Sequence, residues 1–424
     1  VIVDADRLWG RLMQLARVGA VAADAGGGIT RPALGAAHAA AAGLVAGWMR
    51  EAGLEVGRDD QGNLIGLWPG LDPELPALGL GSHLDSVPHG GAFDGALGVV
   101  AALEAAQALA ERGERLRRSL AVIGFADEEG NEFGIGVLSA QLWAGEIGPE
   151  LWSTILDRRG RSLADALAAF DVPGVPRVAR PPLAAYLEAH VEQGPVLDGD
   201  GGAAAAVEGI VGISRTTVRF EGEANHAGTT PMGLRRDALW GAAELALAVR
   251  DLGRAQEDRA VTTVGVFEVA PGATNVIPGA AMLRVEMRAL EEGRLADMRH
   301  EVECLARACA ERHALAVTLE PWHHAPAVPM DAALLDATRA ALADAGLPVR
   351  SMPSWAGHDA KVLARHVPVG MLFVPSVGGV SHAPHEATRR EHCALAAELL
   401  LHAARRADRA LTPPPHRAQE AEPA

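Results

Sequence analysis

The chain has 424 residues, with 38 Lys plus Arg against 54 Asp plus Glu, for a formal charge of −16. Apolar residues make up 49% and charged residues 22%, the balance of a globular protein long enough to bury its own cores without disulfide staples. The acidic balance argues against nucleic acid as a partner, because phosphate binding wants clustered Lys and Arg. Cys304, Cys309 and Cys393 show no C-x-x-C spacing, so neither a disulfide framework nor a cysteine-based zinc ribbon is expected. That usage fits a reducing, cytoplasmic setting. No run approaches the ~18 apolar residues of a membrane span. The start VIVDADRLWG lacks the basic and apolar regions of a signal peptide, so neither span nor signal is expected.

In chain order, Leu8, Leu12, Leu15 and Val18 repeat at helical spacing, and Ala39–Met49 does so again. Short strands are expected at Leu54–Val56, Asn63–Leu67 and Ala77–Gly81. A helix from about Gly95 to Arg112 leads to the strand Ser119–Ala126. Helical sequence fills about Gly134 to Leu167, prolines mark a loop at 173–182, and Leu183–Val191 reads as a strand. Strands alternating with helices imply an α/β fold with a largely parallel central sheet. Near residue 210 the rhythm changes. Gly212–Glu221 alternates as a half-buried strand, followed by a helix (about Arg236–Asp251), strands Val261–Val269 and Ala280–Ala289, and a helix (about Glu292–Arg312). This βαββα unit reads as an α+β insert. After Pro326 the helix–strand–helix pattern returns and ends in a long helix, about Glu391–Ala410. The economical organisation is one catalytic domain of 1–210 and 326–412, split by an inserted domain at 211–325. The Pro-rich 413–424 is expected to be a disordered tail.

Four strand ends deliver His or carboxylate. In GSHLDSVPHGGAFDG, His83 and Asp85 close an apolar strand, where open α/β sheets bind ligands. Residues i and i+2 of a strand share a face, so His83 can ligate a metal while Asp85 supports it from behind. Asp94, at the start of a helix, is either a ligand or a capping residue. In FADEEGNEFG, Asp127, Glu128 and Glu129 crowd together at the end of the strand LAVIGF. Clustered carboxylates repel unless cations or protons intervene. His190 follows a third strand in HVEQG, and His382 follows a fourth in GGVSHAPHE. The three imidazoles and two carboxylates of His83, Asp94, Glu129, His190 and His382 suit zinc or another first-row divalent ion. One bridging carboxylate would let five ligands hold two ions roughly 3.5–4 Å apart, leaving a carboxylate over for base work.

With these residues in order, the chain resembles the hydantoinase/carbamoylase family of dinuclear metal amidohydrolases, relatives of carboxypeptidase-like metallopeptidases. The resemblance runs through GSHLDSVPHGGAFDG, EEGNEFG, HVEQGPVLD, HAGTTPM, ATNVIPG, AGHDA and SHAPHE, from the N-terminal helices to about residue 405. It implies a metallopeptidase-like catalytic domain and an inserted lid and dimerisation domain. It also implies two divalent ions per subunit, with zinc the default and manganese, cobalt or nickel able to serve. Asp94 is implied to bridge them, with Glu129 and His382 completing one site and His83 and His190 the other. Glu128 is implied to be the general base, taking a proton from the attacking water and returning it to the leaving nitrogen.

The resemblance also implies roles in the insert. His226, reaching the partner subunit of a homodimer, would polarise the scissile carbonyl. Asn275 and Arg288 would bind a substrate carboxylate, and Gln193 and His358 would line the pocket. A structural role beside Asp359 is the rival for His358. The implied reaction is hydrolysis of an N-carbamoyl (ureido) L-amino acid to the amino acid, CO2 and ammonia. Allantoate hydrolysis and aminoacylase- or dipeptidase-like amide hydrolysis are the alternatives. The chain departs from the family at Trp355, where glycine is usual, so that the indole either reshapes the pocket or packs outward. It departs again at PSVGG before His382, which lacks a polar pair and weakens the allantoate reading.

Overall fold

The computed structural model describes residues 2–411, so the expected tail at 413–424 lies outside the described residues. The chain divides into two compact units, one up to Glu208 and from Met330 onward, the other Gly209–Pro329. In chain order the strands are β1 (Glu55–Arg58), β2 (Leu64–Trp68), β3 (Ala77–His83), β4 (Leu120–Phe125), β5 (Leu183–Val191), β6 (Ala205–Ile210), β7 (Gly212–Glu221), β8 (Ala260–Ala270), β9 (Ala280–Ala289), β10 (Ala316–Ala325), β11 (Val328–Pro329), β12 (Ser351–Ser354) and β13 (Val369–Val374).

The first unit is built on a mixed sheet in the order β1-β2-β4-β3-β5-β13-β6. Its centre is parallel: β3 pairs with β4 and β5, and β13 with β5, all in the same direction. Antiparallel strands flank this centre on both sides. The four central strands are almost wholly buried along their length. That is why they read as continuous apolar runs rather than alternating ones: both faces are covered. The Ala-rich helix Ala96–Glu111 is itself buried over most of its surface, and small side chains let it lie close on the sheet. The long helix Arg390–Ala410 adds Ala396, Ala397, Leu400 and Leu401 to the same core. The parallel strands all end on one side of this unit, and their following loops carry the candidate ligands.

The second unit is an antiparallel sheet in the order β10-β7-β9-β8. The helices Ala238–Arg254 and Glu292–Arg312 supply Leu245, Val249, Met298 and Val302 to its separate core with Val218, Leu283 and Val285. Strand β8 alternates between exposed and covered residues, the pattern of a sheet with one solvated face. Four strands are absent from the sequence expectation: the short β11 and β12, and β6 and β10. Strand β10 carries Pro321 and the His323-His324 pair, which disguise it, and the ladder to β7 shifts register at Pro321/His323. Strand β6 begins in an alanine run, which has weak strand propensity, and is held by its pairing with β13. The stretch Gly134–Leu167 is also less helical than expected, with α-helix only at Leu138–Ala144 and Leu163–Ala169.

Candidate metal centre

His83 ends β3, Glu128 and Glu129 follow β4, His190 lies near the end of β5, and His382 sits in the loop after β13. Asp94 joins them from the turn before Ala96–Glu111. It does not cap that helix: the capping position is Gly95, without a side-chain cap. Its oxygens instead face two different sets of side chains. Oδ1 lies 3.3 Å from both His83 Nε2 and His190 Nε2. Oδ2 lies 3.1 Å from His382 Nε2, which is 3.5 Å from Glu129 Oε2. In each of the sets His83–Asp94–His190 and Asp94–Glu129–His382, the ligand atoms fall within 4.8 Å of one another. Gly95 makes the close approach possible. It adopts a positive φ, and a Cβ there would lie 2.4 Å from the His83 ring.

The supporting contacts fix which nitrogen each imidazole presents. His83 Nδ1 is held by Asp85, 3.3 Å from its Oδ1 and 3.2 Å from its carbonyl, so Nε2 faces Asp94. The same Asp85 carboxylate accepts the backbone N–H groups of Glu128 and Glu129 at 3.0 and 3.1 Å. One side chain therefore orients a histidine and anchors the turn that carries both glutamates. His190 Nδ1 donates to the Val191 carbonyl at 2.9 Å, again leaving Nε2 for the cluster.

The electrostatics are those of a carboxylate-rich pocket seeking positive charge. Burial, then the charge of Asp94, push the Glu129 carboxyl up to about 7. Burial holds Glu128 well above the usual carboxylate range. The hydrogen bond to Asp94 lifts His382 to about 9. Burial works to lower His83, yet its bonds to Asp85 and Asp94 prevail and raise it well above the ordinary imidazole value. Glu129 Oε1 is buried with no hydrogen-bond partner. Such an oxygen costs free energy unless a cation or donor meets it. Three imidazoles, a shared carboxylate and an orphan carboxylate oxygen form a donor set that fits borderline divalent ions.

The remaining candidates take distinct places. Gln193, in the left-handed region, donates through Nε2 to Asp94 Oδ2 at 2.8 Å, so its amide sits on the shared carboxylate. His358 is buried, with its ring 4.5 Å from that of His190 and Nε2 2.9 Å from Ser354 Oγ. Its side chain caps nothing, and burial holds it well below the usual imidazole value. Trp355 is half-buried.

In the second unit, His226 Nδ1 accepts the N–H groups of Gly228 and Thr229 at 3.1 and 3.2 Å. The proton of the neutral ring is thereby assigned to Nε2, which becomes a donor. A bridge between His226 and Val276 and the bond from Ala227 N to the Asn275 carbonyl put His226 and Asn275 on neighbouring exposed loops. Arg288 lies at the other end of the sheet, with its Nε donating to Glu286 at 2.8 Å. The ladder pairs Glu221 with Ala280 at one end and Ile213 with Arg288 at the other. Eight residues of strand at ~3.3 Å each separate these ends by about 26 Å.

Two residues near the ligands were not singled out from sequence. Glu188 shares a strand face with His190 and forms a further close group with it and His358. Its i, i+2 spacing from His190 was the available signal. Glu386 accepts the N–H groups of Phe93 and Asp94, and nothing local in the sequence points to that contact.

A parallel-centred sheet with paired imidazole–carboxylate sets at its strand ends defines a metal-binding hydrolase of the metallopeptidase class. The profile of Peptidase family M20/M25/M40 matches residues 79–406, and the chain belongs to that family. It is 38% identical over 405 residues to an N-carbamoyl-L-amino acid amidohydrolase of Geobacillus stearothermophilus, covering 95% of this chain and 98% of that one. It is 34% identical over 342 residues to the allantoate amidohydrolase of Escherichia coli, covering 80% and 83%. Among solved structures, a hydantoinase/carbamoylase family amidase from Burkholderia multivorans superimposes with a TM-score of 0.89 at 34% identity, covering 95% and 97%. The resemblance read from the motifs therefore stands over nearly the whole chain. Among the described residues, no helix is long and apolar enough to cross a membrane.

Proposed function

We propose that this chain hydrolyses an N-carbamoyl-L-amino acid, adding one water and releasing the free amino acid, CO2 and ammonia. The observation that carries this reading is the division of Asp94 between two ligand sets, with Glu128 beside them. The substrate class follows the names of the relatives that match along nearly the whole chain. His83, Asp94 and His190 would hold one divalent ion, and Asp94, Glu129 and His382 a second, with zinc the default and manganese, cobalt or nickel also suited. When bound, such ions polarise the carbonyl and acidify water.

The protein groups then divide the work. Glu128 Oε2 lies 3.9 Å from His83 Nε2, at the edge of the cluster. Its raised proton affinity suits a group that takes a proton from the attacking water and delivers it to the leaving nitrogen. His226 offers an N–H donor to the developing oxyanion. Arg288 and Asn275 hold the substrate carboxylate, for which the arginine fork is well shaped.

Reach supports a homodimer. A carbamoyl amino acid is far shorter than the ~26 Å between the His226–Asn275 end of the second unit's sheet and Arg288. Both groups can touch one substrate only if two chains supply them, His226 and Asn275 from one and Arg288 from the other. Strand β8, with Val261 and Phe267 exposed, is one of the two edges of that sheet and suits pairing between copies. The second unit would then act as both lid and dimerisation domain, and three free cysteines accord with a cytoplasmic setting.

The test is ammonia release from N-carbamoyl-L-methionine and from allantoate by the metal-loaded protein, with an N-acetyl amino acid as control. Turnover of the carbamoyl substrate alone supports the reading. Allantoate turnover moves the assignment to ureide breakdown, and acetate release without ammonia moves it to an aminoacylase.

A further inference from the structure

Glu386 lies 292 residues from Asp94 along the chain and is 5% exposed. Its carboxylate is engaged on both sides. Oε1 accepts the backbone N–H groups of Phe93 and Asp94, each at 3.0 Å. Oε2 accepts from Ser381 Oγ at 3.0 Å. The same hydroxyl stands 3.3 Å from Asp94 Oδ2 and precedes His382 in the chain. A hydroxyl has one proton to give, so Glu386 and Asp94 share its single donation. The contact is also tight. A Cβ at Gly91 would lie 2.2 Å from Glu386 Cδ, so the turn leading to Asp94 can lie against this carboxylate only with glycine there.

The two ligand sets differ in what holds them. His83 and His190 stand on strands and are each 1% exposed, with Asp85 and the Val191 carbonyl behind them. The His382 side chain is 47% exposed, and its backbone has a φ of +54°, a conformation that persists in a non-glycine residue only when its surroundings enforce it. The bonds of Glu386 run to the backbone of Asp94 and to the residue preceding His382.

We infer that Glu386 is a positioning residue that ties the shared Asp94 to the His382 loop and thereby holds the Asp94–Glu129–His382 set in particular. The inference rests on the two-ion reading given above. Removing Glu386 disturbs Asp94 for both sets, but only the His382 set also loses the anchor of its loop. The loss is therefore unequal.

The experiment is titration of the metal-free full chain with Zn2+ in competition with a chromophoric chelator. The wild-type protein is expected to take up two ions. In Glu386→Ala one ion is expected to bind with little change, while the other weakens about 10–100-fold, the usual effect of losing a group that orients a metal ligand. Glu386→Gln keeps an acceptor for the two N–H groups, so it is expected to weaken the same ion by less. It also carries the test alone if the alanine variant does not fold. His382→Ala identifies which ion is affected, because it must abolish that one. Equal weakening of both ions, or of neither, overturns the inference and leaves the two-ion reading standing. A wild-type protein that binds fewer than two ions overturns that reading and this inference together.

Discussion

The two units treat their polar groups in opposite ways. The catalytic unit buries His83, His190 and His358 and fixes a ring nitrogen of each by a protein contact. The inserted unit leaves His226 and Asn275 exposed on loops, where backbone N–H groups hold the His226 ring and the Asn225 side chain accepts the His226 N–H. A buried, pre-oriented cluster is a site in itself. On the function proposed above, an exposed donor whose second nitrogen is held by the backbone is half of a site that another chain completes. One architecture is built to hold charge and the other to present a contact.

The sharpest test of the first half is Glu128→Gln. Loss of a general base is expected to cut kcat by about 10²–10⁴-fold while zinc content, measured by atomic absorption, stays unchanged. Loss of metal together with activity would make Glu128 a ligand instead. The second half is tested by His226→Ala, for which removal of an oxyanion donor predicts a fall in kcat of about 10²–10³-fold. Mixing that variant with Arg288→Ala should restore about a quarter of wild-type activity after subunit exchange. Half of randomly formed dimers are mixed, and each of those has one intact site. No recovery would place both groups on one chain and break the contrast between the units.

The burial of the catalytic unit also has a pH signature away from the metal ligands. His38 is stacked on Phe170, its Nδ1 accepts the Leu34 N–H, and burial lowers its proton affinity to about 4. The unfolded chain takes up that proton near 6.5 and the folded one only near 4. The full stability is thus present above 6.5 and is lost as pH falls through this window. At 1.36 kcal/mol per unit, the fall from 6.5 to about 4 is worth about 3 kcal/mol. Denaturant melts of wild type and His38→Gln at pH 7 and pH 4 should differ by that amount, and parallel acid losses would count against it. The smallest expected effect is Asp85→Asn, which should weaken zinc about 10–100-fold, chiefly at the His83–His190 set. Equal weakening at both sets would mean that the turn carrying Glu129 depends on Asp85 as much as His83 does.

Much of the catalytic unit was legible because its strands are covered on both faces. Apolar runs such as LAVIGF and VGMLFV mark central strands, and the His and carboxylate residues just beyond them mark their ends. The candidate ligands could be picked out for the same reason. Strand β10 was hidden by Pro321 and two histidines, since an antiparallel strand with a solvated face tolerates polar residues that a central strand does not.

Read alone, the chain yields most of the order of its elements, the donor types and the excess of carboxylates. These depend on local pattern and on which side chains are present. The packed fold was needed to show that the two oxygens of Asp94 face different histidines, that Gln193 lies on Asp94, and that Glu386 grips a turn 292 residues away. It also decided that His226 and Arg288 stand at opposite ends of one sheet. Hydrogen bonds between side chains hundreds of residues apart are through-space quantities, set when distant segments pack, and no local pattern of residues encodes them.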